Sequence, residues 1–186
     1  SCIGGEWTGT LSTAVMPKPA GEPPSHELLA SAIGLEPEAI GFADHRPGIF
    51  DAGVPYLFVP LRDLDALERA AVAEPKWSEM TSAANTDGAY FYTAGDNGHD
   101  WRARLSAPAA GIPEDPATGS AAAAFPGQLN AVHPLADGTH NWTIGQGIEM
   151  GRASDITLQA DVAGGAFTAV RVGGKAVSVS RGMITI

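Results

Sequence analysis

Ser120-Ala121-Ala122-Ala123-Ala124-Phe125 is the stretch on which the fold turns. Its residues favour helix and carry scarcely a polar atom on any side. A helix that is apolar all round is a buried helix. Alanines project so little side chain that strands can approach such a rod closely from several directions. The Pro126-Gly127 pair that follows predicts an early end or a bend, because proline removes a backbone donor and glycine weakens a helix interior. Twenty-three glycines and 14 prolines among 186 residues suit many short strands and tight turns, not a helical bundle around that rod.

Working outward, residues 155–162 alternate cleanly, with Ile156, Leu158, Ala160 and Val162 on one face and Thr157, Gln159 and Asp161 on the other. Gly164-Gly165 turns the chain into a strand over 166–172. Gly173-Gly174 is expected to turn it again into 175–180, with Gly182 leading to a last strand over 183–186. Toward the N-terminus, 6–16 reads as a strand followed by a proline-rich turn through Pro24. Ser25 caps a helix over 26–33 that Gly34 stops, with Leu28, Leu29, Ala32 and Ile33 as its buried stripe. A strand over 54–60 follows the Asp51-Ala52-Gly53 turn, and Asp63 opens a helix through Val72. An aromatic strand over 89–93 joins one over 100–105 across Gly95-Asp96-Asn97-Gly98, a hairpin turn. The tryptophans Trp7, Trp77, Trp101 and Trp142 read as core. The expected architecture is α+β: one domain over 1–186, in which an antiparallel, β-barrel-like sheet wraps a central buried helix.

Composition narrows the function. Eleven Lys and Arg against 21 Asp and Glu give a formal charge of −10. A surface of that sign repels phosphate backbones and anionic lipid, which excludes nucleic acid and membrane as first partners. Cys2 is the single cysteine, so neither a disulfide framework nor a thiolate zinc cluster is available. No apolar run is long enough to span a bilayer and no basic-then-apolar leader is visible, so a cytoplasmic protein is expected. The histidines at 26, 45, 99, 133 and 140 have no i+3 or i+4 partner and read as solvated or capping residues, giving no metal site. Gly145-Gln146-Gly147-Ile148-Glu149-Met150-Gly151 is glycine-rich like a dinucleotide loop, but a strand follows it where a helix is required. The glycines then serve a tight turn beside the site, and no cofactor is expected.

Chemistry concentrates where Gly111-Ile112-Pro113-Glu114-Asp115-Pro116-Ala117-Thr118-Gly119-Ser120 enters the buried helix. The first backbone N–H groups of a helix lack intrahelical partners, and the dipole adds about half a positive charge there. Such an end holds a carboxylate or stabilises developing enolate charge. Gly119 leaves a ligand room to approach, and Asp115 lies within a turn, where it could move or orient a proton. The competing reading is structural: Asp115 or Thr118 as N-cap with Pro116 in the first turn.

Glu114-Asp115-Pro116-Ala117-Thr118-Gly119-Ser120-Ala121 resembles the signature of the PhzF-like isomerase family of phenazine biosynthesis. Four further stretches are similar in order and spacing: Gly53-Val54-Pro55-Tyr56-Leu57, Arg104-Leu105-Ser106-Ala107-Pro108, Gln146 through Ser154, and Val170 through Val177. The resemblance implies a diaminopimelate-epimerase-like fold of two similar halves, with the active site between them. It also implies cofactor-free proton transfer on a small carboxylated substrate. By the same resemblance Asp115 is the catalytic acid/base, and Thr118, Gly119 and Ser120 bind substrate. The likeness runs from about Glu6 onward and corresponds to the C-terminal half of the family pattern. The first half's motifs, with the principal catalytic glutamate and a histidine near the substrate, have no match, and residues 1–5 fall at the crossover. The expected partners are therefore a small carboxylated metabolite, the missing N-terminal half or its equivalent, and a second copy in a homodimer. By itself the chain is expected to be inactive or weak. The rival is a non-catalytic binding or assembly module that keeps the fold and the anion site.

Overall fold

A computed structural model describes residues 2–3, 6–177, 180 and 182–184. Its strands are β1 (Cys2–Ile3), β2 (Glu6–Ser12), β3 (Lys18–Gly21), β4 (Gly48–Asp51), β5 (Pro55–Pro60), β6 (Ala89–Ala94), β7 (Trp101–Ala107), β8 (Ile112–Asp115), β9 (Gly138–Gln146), β10 (Ser154–Ala163) and β11 (Ala166–Ala176). The helices are α1 (His26–Ala32), α2 (Leu64–Arg69), α3 (Lys76–Ala84) and α4 (Gly119–Val132). All the strands join one sheet in the order β1-β2-β11-β10-β9-β7-β6-β5-β4-β3, with β8 added to β7.

The sheet corrects the expected architecture in two ways. It is open, ending at β1 and β3, so it is not a closed barrel. It is also mixed: β5 pairs with β6 and β7 with β9 in parallel, while the other pairings are antiparallel. A parallel pair cannot be joined by a tight turn. The first is bridged by α2 and α3, and the second by β8 and α4. The rod α4 touches β10 and β11 toward one end of the sheet and β3, β4 and β5 at the other. The sheet therefore curls around it without closing.

The expected central helix is present and longer than its alanine run. Residues 121–129 are all buried. Pro126 does not end it, and the helix runs on to Val132. An interior proline costs about 3 kcal/mol, and packing on every side offsets that. Phe125 is enclosed by Phe58, Tyr90, Tyr92 and Trp101. Each large side chain buried this way contributes about 1.5–3 kcal/mol. Gly127 is there for space: a Cβ would lie 2.7 Å from Phe50 Cδ1 and 3.0 Å from Pro17 Cβ.

Strand alternation divides the core. Phe58, Tyr90 and Tyr92 face α4, while Leu57, Val59, Ala89 and Phe91 face a second cluster built from α1, α2 and α3. Ser25 caps α1 through its Oγ, and Asp63 caps α2 by accepting from the Ala66 amide. Helix α2 stops at Arg69, short of the expected Val72, and α3 is an element the sequence reading missed. Gly173-Gly174 is not a turn but lies inside β11, where a Cβ on Gly173 would meet Thr157 Oγ1 at 2.6 Å. The last strand begins as irregular chain at 183–184, and its end lies outside the described residues, as do residues 1, 4 and 5 of the expected crossover. Trp77 is core, but Trp7 is 53% exposed on β2, at the open side of the sheet. His45 is buried against Phe42, not solvated.

Candidate active site at the start of the central helix

Strand β8 pairs with β7 and ends at Asp115, which lies opposite Leu105. The chain then turns through Pro116 and Ala117 into α4. Thr118 occupies the N-cap position, yet no side chain there accepts a helix amide. Its Oγ1 instead donates to Asp115 Oδ2 at 2.8 Å. The structural reading therefore holds in part: Thr118 is the N-cap by position and its carbonyl accepts from the Ala122 amide, but it makes no side-chain cap bond, Asp115 is not the cap, and Pro116 lies before the first turn. The first N–H groups of α4 lack intrahelical acceptors and emerge at Gly119 and Ser120, both exposed.

The turn is held from behind by Gln146, at the end of β9, which is wholly buried. Its Nε2 donates to the Asp115 carbonyl and to Thr118 Oγ1, each at 2.8 Å, and its Oε1 accepts from the Thr118 amide at 3.2 Å. Thr118 spends its amide and hydroxyl on Gln146 and Asp115 and is itself buried. Sequence reasoning assigned no role to Gln146; the available signs were its place among the glycines of the 145–151 stretch and at the head of the family-like stretch over 146–154.

Arg104 fixes the strand leading into the turn. Its Nε and Nη2 grip both oxygens of Glu114, at 2.8 and 3.0 Å, and its Nη1 donates to the Leu67, Glu68 and Ala70 carbonyls at the end of α2. Ser120 Oγ lies 2.7 Å from Tyr56 OH of β5, an exposed contact. A Cβ built on Gly119 would meet only Val172 Cγ1, 3.9 Å away. Nothing among the described residues requires glycine there, and the room it leaves faces outward.

Two hollows open at Gly119. One, of about 590 Å³, is apolar and lined by Leu11, Val15, Ala52, Ser120, Ala123 and Val172. The other, of about 340 Å³, is mixed in character, lined by Ser154, Asp155 and Lys175 together with Ala117, Ile156 and Val172. The Asp155 carboxylate accepts from or pairs with His99 Nε2 at 2.8 Å. Leu11 is 71% exposed and Val15 41%, so the apolar hollow has one uncovered side. A further hollow of about 390 Å³, lined by Thr10, Asn141, Thr157, Gln159 and Arg171, lies on the outward face of β9–β11 and is not part of this site.

The four residues singled out in the sequence lie on one turn, but they are placed differently: Gly119 lines both hollows and Ser120 the apolar one, while Asp115 and Thr118 line neither and are tied to each other behind the opening. Among the described residues no three His, Cys, Asp or Glu gather at metal-binding distance. No helix of the described residues is long and apolar enough to cross a membrane.

Comparison with known proteins gives a consistent result. Residues 8–182 match the sequence profile of a family described as Phenazine biosynthesis-like protein. An uncharacterized isomerase of Mesorhizobium japonicum is 36% identical over 178 residues, 93% of this chain and 59% of that protein. The trans-2,3-dihydro-3-hydroxyanthranilate isomerase of Pseudomonas fluorescens is 32% identical over 167 residues, 84% of this chain and 55% of the relative. The chain thus spans little more than half the length of these relatives. A Bacillus anthracis structure of the PhzF family superposes with a TM-score of 0.80 at 18% identity, covering 96% of this chain and 64% of that one. A predicted epimerase from Pseudomonas aeruginosa gives 0.68 at 24%, covering 94% and 59%.

Proposed function

This chain belongs to the phenazine biosynthesis-like family, whose relatives include isomerases, and from that premise we propose that it supplies one wall of an isomerase or epimerase site. The reaction is proton transfer on a small carboxylated substrate, without a cofactor. The observation that carries this is the start of α4, which has no side-chain cap, with Gly119 and Ser120 exposed and Asp115 held to the N-cap residue Thr118 just ahead of them. The substrate carboxylate accepts from the Gly119 and Ser120 amides, where fixed donors favour negative charge at no reorganisation cost. Ser120 Oγ adds a donor from the rim. Thr118, whose side chain is engaged inside the turn, contributes by orienting the Asp115 carboxylate through its 2.8 Å hydrogen bond. Asp115 then gives or takes the proton at the carbon next to the forming negative charge.

The apolar hollow, with Leu11 and Val15 exposed, is the face on which a second, barrel-like half of diaminopimelate-epimerase type would close the cleft and exclude water. That half brings the principal glutamate base, so this chain alone turns over weakly or not at all. A homodimer and a cytoplasmic location belong to the same proposal.

The test is solvent-proton exchange. In a protein carrying both halves, deuterium uptake from D2O into substrate is followed by NMR, starting with trans-2,3-dihydro-3-hydroxyanthranilate, the compound named for the Pseudomonas relative. Asp115→Asn is expected to slow exchange by about 10²–10⁴-fold with little change in melting temperature. Unaltered exchange in that variant, with only a stability loss, would assign Asp115 a purely structural part. Tight binding with no exchange by the unaltered protein would favour the binding-module alternative.

A further inference from the structure

Taking the reading above as its basis, we infer that Arg102 and Glu149 form a positioning pair, which holds the Asp115–Thr118 turn in register with the α4 amides through the loop over 146–152. Neither residue lines the two hollows at Gly119.

Arg102 lies on β7 with its side chain only 6% exposed, and the Glu149 side chain is 8% exposed. Arg102 Nη2 donates to Glu149, while Nη1 donates to Asp96 Oδ1 at 2.8 Å in the hairpin turn before β7. Removing two charges from water costs several kcal/mol per ion, so a pair this buried is weak evidence of added stability. What it fixes is geometry. Glu149 rides on a loop closed by two hydrogen bonds, Arg152 N–H to the Gly147 carbonyl at 2.8 Å and Gly151 N–H to the Ile148 carbonyl at 3.0 Å. Gly147 and Gly151 take φ of +75° and +73°, conformations that suit glycine. A stiff loop transmits the position of its anchor.

Its other end meets the site directly. A Cβ on Gly147 would lie 2.8 Å from both the Cα and the carbonyl oxygen of Pro116, so loop backbone rests on turn backbone. Gln146, the preceding residue, makes the three hydrogen bonds to Asp115 and Thr118. An anchor at Glu149 therefore sets where Gln146 and Gly147 press on the turn. The glycine-rich stretch, which lacks the helix that a dinucleotide loop needs, has this function in the fold.

The experiment uses the 186-residue chain. Amide exchange at Thr118, whose N–H is held by Gln146, is compared by NMR with exchange in α1, which reports overall stability. Glu149→Ala is expected to speed Thr118 exchange about tenfold or more beyond any change in α1. Glu149→Gln retains an acceptor for Arg102 and restores protection. Because a lone buried charge can prevent folding, the paired variant Arg102→Met with Glu149→Leu removes both charges at once and is expected to show the same local loosening in a folded protein. Thr118 exchange that changes only in step with α1, in every variant, overturns the inference, as does failure of Glu149→Gln to restore it. An acetate titration read at the Gly119 and Ser120 amides separates this from the proposed function. No response there, with Thr118 behaving as expected, defeats the anion site and leaves the positioning pair in place.

Discussion

Each end of α4 is fastened by one buried glutamine, and the two are used differently. At the start, Gln146 reaches in from β9 and all its hydrogen-bonding is spent on the turn before the helix. At the far end, Gln128 belongs to the helix itself. Its Nε2 donates to the Arg46 carbonyl at 2.7 Å and to Tyr92 OH at 3.0 Å, while its Oε1 has no partner among the described residues. The far end is closed by aromatic packing, with His45 stacked on Phe42 and edge-on to Tyr92 and Trp101. The near end is bare. On the proposed function the open end leaves its amides to a ligand and so does without a capping side chain; its observed support comes from behind, through the hydrogen bonds of Gln146. A closed end can rely on packing and tolerates a polar atom left over.

The sharpest way to break this contrast is Gln146→Leu. It leaves the Thr118 amide and the Asp115 carbonyl unpaired in a dry setting, at about 1–3 kcal/mol for each group. A total loss of about 3 kcal/mol or more is expected in the denaturant midpoint. Gln128→Leu should cost less, about 1–2 kcal/mol, because removing the unpaired Oε1 offsets part of what is lost at Arg46 and Tyr92. Equal losses from the two leucine variants would mean that both ends are held in the same way.

A subtler difference follows from His45. Burial, assisted by nearby His133, lowers its pKa from the ordinary 6.5, against a weaker opposing pull from Asp44. Tyr92 OH, which accepts from Gln128, lies 2.9 Å from His45 Nδ1, and the neutral ring with Nδ1 unprotonated can accept the phenol proton there. The sign follows by linkage. The unfolded chain binds the proton more readily, so stability is complete above about pH 6.5 and falls as pH drops below it toward the folded-state pKa. Melting curves across that range should show the decline, and His45→Phe should flatten it. The smallest effect is expected at the open end. Ser120→Ala removes an exposed contact to Tyr56 and should move stability by no more than about 0.5 kcal/mol, while weakening acetate binding at the neighbouring amides.

The sequence announced the rod, its burial and the two helix caps, because each of these is written in local chemistry. The alternation of Ile156, Leu158, Ala160 and Val162 likewise survives intact as the buried face of β10. What was hidden depends on partners far along the chain. Gln146 acts on residues 28 and 31 positions away, and nothing beside it specifies that. Gly173-Gly174 has the composition of a turn, yet its small size serves close approach to Thr157 and Thr10 inside the sheet. Helix α3 was legible in principle, since Trp77, Met80 and Ala84 fall at helical spacing and are buried together. Recognising it would have pointed to a crossover, and hence to the parallel pairing of β5 with β6. Proline within α4 misled for the opposite reason: a local rule was overridden by packing from all sides.

Arg104 carries a consequence beyond its part in fixing Glu114. One guanidinium collects two carbonyls of α2, that of Ala70 just after it, and both oxygens of a carboxylate one residue before Asp115. The outer helical layer and the acid-bearing strand therefore share Arg104 as a common anchor, beside the apolar packing of the helices on the sheet. Lysine, a point charge without the planar fork, could not bridge them. Local opening of this protein should thus release the helical layer and the acid together, as one cooperative unit.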